Sequence, residues 1–356
     1  MKKRNLIVFM GPLPPPVHGF SEINLRMLDM LQNHAEVFAF DLSPRHGTIH
    51  TLLTPIKFTW KVISKKPNSL YIGLSGGIRQ WMDFTYIVLA KLFGIRVFIH
   101  HHSFAYINTP RKTLKARFQI VPDAMHIVLC ECMKSKLSNT YSIPEKNVIV
   151  LSNAAFISRT ATTPLQQKTR KLTAGFLSNI SREKGIFEFL TILEKAHLSG
   201  VEINAKIAGP VSPEIQHEFK ERLKLLPFIT YIGAVYGEKK LEFLSSIDTL
   251  IFPTLYANEA EPVTIFEAME QATPVIAFSR GCIAEQIPAG AGLVVKSTDN
   301  THQEVIDYLR YLAEPENLLN AKKSSHSAFI QASATGGVQL RNLFEEITSK
   351  NTQKDE

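Results

Sequence analysis

No stretch of the 356-residue sequence approaches the ~18–20 consecutive apolar residues of a membrane-spanning helix, so no span is expected. Cysteine is scarce. Cys130, Cys132 and Cys282 are too few for a disulfide framework, and a reduced, cytosolic setting is expected. Cys130 and Cys132 close an apolar stretch and read as packing residues rather than metal ligands. Acidic residues are sparse in one half only. Residues 1–165 hold 8 Asp/Glu against 20 Lys/Arg, a net +12, whereas residues 166–356 hold 24 against 20, a net −4. That imbalance points to an anionic partner for the first half, either nucleic acid or an anionic membrane surface. No short repeat or low-complexity tract is present. A G-x-G-x-x-G fingerprint and a Walker pattern are both missing, so neither a Rossmann dinucleotide site nor a P-loop is supported.

What is present is a globular composition, 45% hydrophobic and 20% charged, at a length suited to two domains. Short apolar runs read as buried strands: "NLIVFM" (5–10), "EVFAFDL" (36–42), "SLYIGL" (69–74), "RVFIHH" (96–101), "AMHIVL" (124–129) and "NVIVLS" (147–152). The first run, after "MKKR", reads as a strand and not as a signal peptide, because prolines follow it with no small-residue cleavage site. Helical patterns lie between most of the runs, which argues for a parallel sheet covered by helices. Residues 157–170 are polar and read as a linker. A second series follows: "LTAGFLSN" (172–179), "INAKIAGP" (203–210), "ITYIGAV" (229–235), "DTLIFPT" (248–254), "PVIAFS" (274–279) and "AGLVV" (291–295). The expectation is an α/β protein with domains over 1–165 and 166–335, then an amphipathic helix over 336–350 returning towards the first domain and a frayed "NTQKDE".

Several loops carry candidate chemistry. In "GPLPPPVHGFSEINLRML", Ser21 is placed to cap a helix, with Phe20 and Leu25 as a hydrophobic staple. A loop entering a helix N-terminus suits an anion, although a proline-stiffened surface turn fits equally well. "RVFIHHHSF" sets His100, His101 and His102 at the carboxyl end of a strand, where open α/β sheets bind ligands. Alternation puts His100 and His102 on one face and His101 on the other. No acidic partner follows in "SFAYIN", so no metal is assigned. "LTAGFLSNISREKGIFEFL" reads strand, turn, helix. Arg182 and Lys184 sit where a helix dipole disfavours cations, a placement that makes sense if a phosphate lies between them.

"NEAEPVTIFEAMEQATPVIA" (258–277) places Glu259 and Glu267 eight positions apart. With Pro262 as the first helical residue, Glu259 and Glu261 precede the helix and are favoured by its dipole. On the wheel, Ile265, Phe266, Ala268, Met269 and Ala272 form the apolar face. Glu267 falls opposite, with Thr264, Glu270 and Gln271, so periodicity alone makes it a solvated charge.

This stretch resembles the E-x7-E element of retaining GT-B glycosyltransferases, in particular glycosyltransferase family 4 (glycosyl transferases group 1). Glu259, Glu267-Ala268-Met269 and Pro274-Val275-Ile276-Ala277 stand at the family spacings, with departures at Ala260, Glu261 and Pro262. Glu183-Lys184-Gly185 matches the family's Glu-Lys-Gly turn, while Ser178 and Asn179 replace its usual Gly and Arg. "AKIAGP", "YIGAV", "RGCIAEQI" and "GAGLVV" follow in the expected order. The likeness is dense over 172–296 and looser over 1–160. It implies two Rossmann-like domains facing a cleft and net retention, with no metal or cofactor. A nucleotide-sugar serves as donor, UDP-sugar ahead of GDP-sugar. By the same resemblance Glu259 faces the transferred sugar, His102 contacts it and Glu267 accepts from the ribose hydroxyls. Lys184 neutralises the diphosphate, Arg182 stands in for the missing Arg, and Gly19 lets the backbone approach the phosphates.

The basic half then gains a use. "LLTPIKFTWKVISKK" puts Leu53, Ile56, Trp60 and Ile63 on one stripe and Lys57, Lys61 and Lys65 on another. "PRKTLKARF" adds Arg111, Lys112, Lys115 and Arg117. These fit peripheral attachment to an anionic bilayer, not nucleic acid, with a saccharide or polyprenyl-diphosphate-linked acceptor in bacterial surface-polysaccharide (lipopolysaccharide-type) assembly. The alternative is that the apolar stripe packs on the sheet and leaves the lysines merely solvated. Two rivals remain. One is an epimerase or phosphorylase of the same fold, though no context for a pyridoxal-phosphate lysine is seen. The other is a non-catalytic basic binding protein, against which Glu259, Lys184 and Glu267 weigh.

Overall fold

The computed structural model describes residues 5–17, 19–77, 79–158, 171–296 and 300–349. The linker expected over 157–170 falls, from residue 159 onward, outside the described residues, as does "NTQKDE". The chain divides into two compact units, Met1–Phe156 with Thr335–Glu356, and Ile157–Ala334.

In the first unit, six parallel strands form one sheet: β1 (Leu6–Gly11), β2 (Glu36–Asp41), β3 (Ser69–Leu74), β4 (Arg96–His101), β5 (Met125–Val128) and β6 (Val148–Val150). Their order is β2-β1-β3-β4-β5-β6. The connecting helices are α1 (Gly19–His34), α2 (Gly47–Lys65), α3 (Arg79–Leu92), α4 (Ala105–Asn108), α5 (Lys112–Ile120) and α6 (Glu131–Tyr141). Central strands covered on both faces read as unbroken apolar runs, and Ile7, Val8, Phe9, Leu70, Tyr71, Ile72, Phe98 and Ile99 are fully buried. β2 is an edge strand and only half-buried, so "EVFAFDL" is not the buried strand its apolar content suggested.

Two expected local features differ. α1 starts at Gly19, two residues before Ser21, and the Ser21 hydroxyl donates to the Pro16 carbonyl at 2.8 Å instead of capping. Leu25 is exposed, so no staple forms, and Phe20 packs on His102 with ring centroids 4.6 Å apart. Cys130 does take a capping role, its Sγ accepting from the Met133 N–H at 3.4 Å at the start of α6.

The second unit repeats the plan with β7 (Leu172–Leu177), β8 (Ile203–Ala208), β9 (Ile229–Tyr231), β10 (Thr249–Phe252), β11 (Val275–Phe278) and β12 (Gly292–Val295), in the order β12-β11-β10-β7-β8-β9. Its helices are α7 (Ile186–Leu198), α8 (Gln216–Lys224), α9 (Glu238–Ser245), α10 (Val263–Glu270), α11 (Ile283–Gln286), α12 (Thr301–Ala313) and the start of α13 (Pro315–Thr348). Phe176, Ile186, Phe189, Leu190, Ile207, Ile251 and Ile276 anchor the core. A buried ion pair joins Asp248 to Lys322 at 2.8 Å, and the Asp248 carboxylate also accepts the Thr173 N–H at 3.1 Å. Such a charge is tolerable inside because both partners and a backbone donor satisfy it.

The helix expected over 336–350 is the last part of the 34-residue α13. From Thr335 on, it belongs to the first unit. There Gln339 accepts from the Ser152 N–H at 3.0 Å, Asn5 donates to the Thr348 carbonyl at 2.7 Å, and Ser69 donates to the Ile347 carbonyl at 2.8 Å. Gly336 lies so close to Ala155 that a Cβ would sit 2.7 Å from its backbone nitrogen. Among the described residues, no helix is long and apolar enough to cross a membrane.

Candidate active site

In the second unit, chain order reverses between β7 and β10. β8 and β9 continue to one side, β11 and β12 to the other. Loops leaving the carboxyl ends of strands at such a reversal diverge and open a crevice. The turn after β7 carries Lys184, and the loop after β10 carries Glu259.

Close backbone packing holds these loops. Gly185 caps α7 at φ +79°, and a Cβ there would stand 1.9 Å from the Pro253 carbonyl oxygen. Only glycine allows both the conformation and the approach. The Leu255 N–H then reaches the Glu183 carbonyl at 2.8 Å. A third loop, after β11, joins through Gly281 at φ +50°, where a Cβ would be 2.2 Å from the Glu259 carbonyl oxygen. The Cys282 N–H donates to the Ala260 carbonyl at 2.9 Å. Sequence-local signals for these contacts are the glycines themselves.

Within this frame Lys184 Nζ lies 2.6 Å from Glu259 Oε2, and the Thr254 hydroxyl donates to the same oxygen at 3.0 Å. Lys184 also sits 5.0 Å from the Tyr256 ring centroid. Both members of the pair are largely buried, Lys184 at 24% and Glu259 at 12% side-chain exposure. A cation so placed can exchange a carboxylate for a phosphate without being desolvated anew.

Glu267 is buried at 5% exposure, and Glu270 at 1%. The wheel's expectation of a solvated Glu267 is therefore overturned. α10 is only eight residues long and is buried on every side from Ile265 to Glu270, so no polar face exists. Pro262 is the residue before the helix and not its first. Inside, Glu267 is paired with Lys240 of α9, whose Nζ lies 2.6 Å from Oε1. Lys240 was not anticipated. The two residues are 27 apart and only the tertiary fold joins them.

Arg182 is not gathered with Lys184. It pairs with Glu218, stacks 4.9 Å from the Phe187 ring and stays exposed.

In the first unit, the reversal lies between β1 and β3. α1 inserts Asn24 there, its side-chain amide donating to the Pro12 carbonyl at 3.1 Å. Gly11 and Gly73 make room, since a Cβ at either would come within 2.9 Å of the Asn24 amide. Gly19 opens α1 with nothing within 4 Å of a Cβ position, so its backbone is accessible. His102 lies beside it in space, stacked 4.6 Å from Phe20 and 3.9 Å from His100. Its Nε2 has no hydrogen-bond partner among the described residues. Alternation along β4 holds as expected. His100 bonds the Tyr71 hydroxyl at 2.5 Å, whereas His101 turns to Tyr106 at 2.7 Å and His126 at 2.9 Å. Burial pushes His102 and His126 down to about 3, and His100 and His101 well below the ordinary value. All four are neutral at physiological pH, so His102 can only hydrogen-bond. Among the described residues, no group of His, Cys, Asp or Glu could hold a metal ion.

Residues 159–326 match the family model "Glycosyl transferases group 1". No curated protein matches the sequence. Among solved structures, a glycosyltransferase from Rickettsia africae ESF-5 superposes with a TM-score of 0.74 at 14% identity, over 99% of this chain and 100% of that one. Anabaena Alr3699/HepE in complex with UDP-glucose gives 0.69 at 14%, over 96% and 99%. Sucrose-phosphate synthase (tll1590) from Thermosynechococcus elongatus gives 0.70 at 14%, over 97% and 99%. At such identities the likeness is one of fold. Residues 159–326 thus carry the glycosyl transferases group 1 match, and the whole chain has the fold shared by these GT-B glycosyltransferase structures.

Proposed function

We propose that the chain transfers a sugar, with retention, from a nucleoside-diphosphate-sugar to a saccharide or polyprenyl-diphosphate-linked acceptor at the inner face of the membrane, in surface-polysaccharide assembly. A UDP-sugar is the first candidate, in keeping with the UDP and UDP-glucose complexes of Anabaena HepE. The observation that carries the donor reading is the Lys184–Glu259 pair, 2.6 Å apart across the β7/β10 reversal.

In the reaction the bond from the anomeric carbon to the diphosphate breaks and a bond to the acceptor hydroxyl oxygen forms. Nucleoside diphosphate and the acceptor's proton leave. Negative charge grows on the diphosphate, and Lys184, at the entry to α7, is placed to meet it together with the helix dipole. Glu259 releases Lys184 to the phosphate and faces the sugar. Glu267, positioned by Lys240, accepts from the ribose hydroxyls. Gly19 offers backbone to the phosphates, and neutral His102 offers its unpartnered Nε2 to the sugar. Arg182 reaches the diphosphate only by leaving Glu218.

The test is turnover of a UDP-sugar panel by wild type and Glu259→Ala. Transfer or donor hydrolysis in wild type, abolished in a variant of unchanged circular dichroism, supports the proposal. Full activity in Glu259→Ala would overturn it.

A further inference from the structure

Helix α2 is apolar on two opposite sides. Thr54, Phe58 and Val62 form its inner side and are buried, Phe58 completely. At ~100° per residue, Leu53, Ile56, Trp60 and Ile63 fall on the other side. All four are exposed, Ile56 and Trp60 at 66%. Single exposed hydrophobics need no explanation, but four on one stripe of one helix do. The strip does not end with the helix. Ile63 and Phe93, the latter just past α3, line one groove together with Lys66.

Helix α2 itself carries charge of one sign, with no Asp or Glu from Gly47 to Lys66. Between Asp41 and Asp123 the sequence holds a single acidic residue, Asp83, against twelve Lys and Arg. Asp83 is buried and its carboxylate accepts the Ser75 N–H at 2.7 Å, so it offers nothing to the surface. Lys57 flanks the stripe and Lys66 closes its end beside Ile63, both exposed, while Lys61 lies over the Phe38 ring at 3.6 Å. Both tryptophans of the chain are exposed here, Trp60 on α2 and Trp81 on α3.

We propose that the outer face of α2, continued by Phe93, docks the first unit on an anionic lipid bilayer, with the helix lying in the plane of the headgroups. Leu53, Ile56, Trp60 and Ile63 enter the acyl boundary, and Lys57 and Lys66 meet the lipid phosphates. A bilayer suits this face better than a groove-forming protein. The inner side of α2 is already packed into the core, so a partner cannot wrap the helix, whereas a flat surface needs one side only. This inference rests on the membrane setting proposed above, but not on the donor chemistry. Nucleotide binding reads the latter separately.

The full chain carrying Trp81→Phe isolates Trp60 as the fluorophore. With phosphatidylglycerol-containing vesicles, its emission should shift to the blue and the protein should co-sediment. With phosphatidylcholine vesicles alone it should stay in solution. Lys57→Gln and Lys66→Gln should each weaken binding about fivefold. Ile56→Ser should weaken it by about tenfold or more. All three positions are exposed, so the thermal stability and its rise with nucleotide should be unchanged. The proposal is overturned by no sedimentation, by equal binding to neutral vesicles, or by binding that survives Ile56→Ser. It is equally overturned if the face instead binds RNA, or if Ile56→Ser abolishes a self-association that occurs without lipid.

Discussion

Lowering the pH from 7 to 5.5 should destabilise the first unit by roughly 3 kcal/mol, and the histidines around β4 set that figure. His100, His101 and His126 are enclosed, and burial holds their folded-state pKa values far below the ordinary value. The unfolded chain therefore binds protons that the folded one refuses, and stability is lost as pH falls below ~6.5. At pH 5.5 each such histidine favours the unfolded chain by about 1.4 kcal/mol, against a few tenths at pH 7. Three of them give about 4 kcal/mol; His102, only half-buried, is discounted for its contact with solvent. Asp83 acts in the opposite sense. Its carboxyl is pushed up to about 6 by burial, so it contributes stability below that pH and loses it above. It returns about 1 kcal/mol at pH 5.5. Urea melts followed by tryptophan emission read this unit, because Trp60 and Trp81 both belong to it. With a slope near ~2 kcal/mol per molar, the midpoint should drop by about 1.5 M. A midpoint independent of pH over this range would refute the reasoning. As a corollary, kcat/KM should show no limb near pH 6.5 from His102, which stays neutral down to about 3.

Gly185→Ala forces a left-handed φ of +79° on a side chain and drives its Cβ towards the Pro253 carbonyl. The conformation alone costs about 1–2 kcal/mol. The melting temperature should fall, and turnover should fall further because the Lys184 and Glu259 loops separate. Lys240→Ala leaves Glu267 buried without this cation. The cost should be on the order of 2 kcal/mol, below that of a fully enclosed pair because Lys240 keeps 20% of its side chain in solvent. Donor KM should rise with little change in kcat, since ribose binding is shared by ground and transition states, and Lys240→Arg should restore most of it.

How much of this was legible in the sequence depends on the range of the signal. Each apolar run read as a strand overlaps one, and "SLYIGL" and "RVFIHH" match β3 and β4 residue for residue. Runs of that kind are dictated by burial on both faces, which composition reports directly. The Lys-Gly turn and the histidine alternation were legible for the same reason, since local geometry fixes them. The wheel of α10 failed because periodicity registers one covered face, and this helix is covered all round. Lys240 was missed because its partner is distant in sequence. Ser21 misled because a capping residue type says nothing about a helix that can start earlier. The stripe on α2 was seen and read as outward-facing, with packing on the sheet as the alternative, and it is exposed. An apolar stripe looks the same in sequence whether it packs or is left bare, and here Phe58 and Val62 fill the inner side instead.

The account turns on Lys184 changing partner from Glu259 to a diphosphate. The direct measurement is calorimetric titration of UDP and UMP, with GDP and ADP as controls, into wild type and Lys184→Ala. Wild type should prefer the diphosphate over the monophosphate of its base by about tenfold or more, and Lys184→Ala should erase that preference while leaving monophosphate binding intact. An unchanged preference in Lys184→Ala, or no nucleotide binding by wild type, would contradict it.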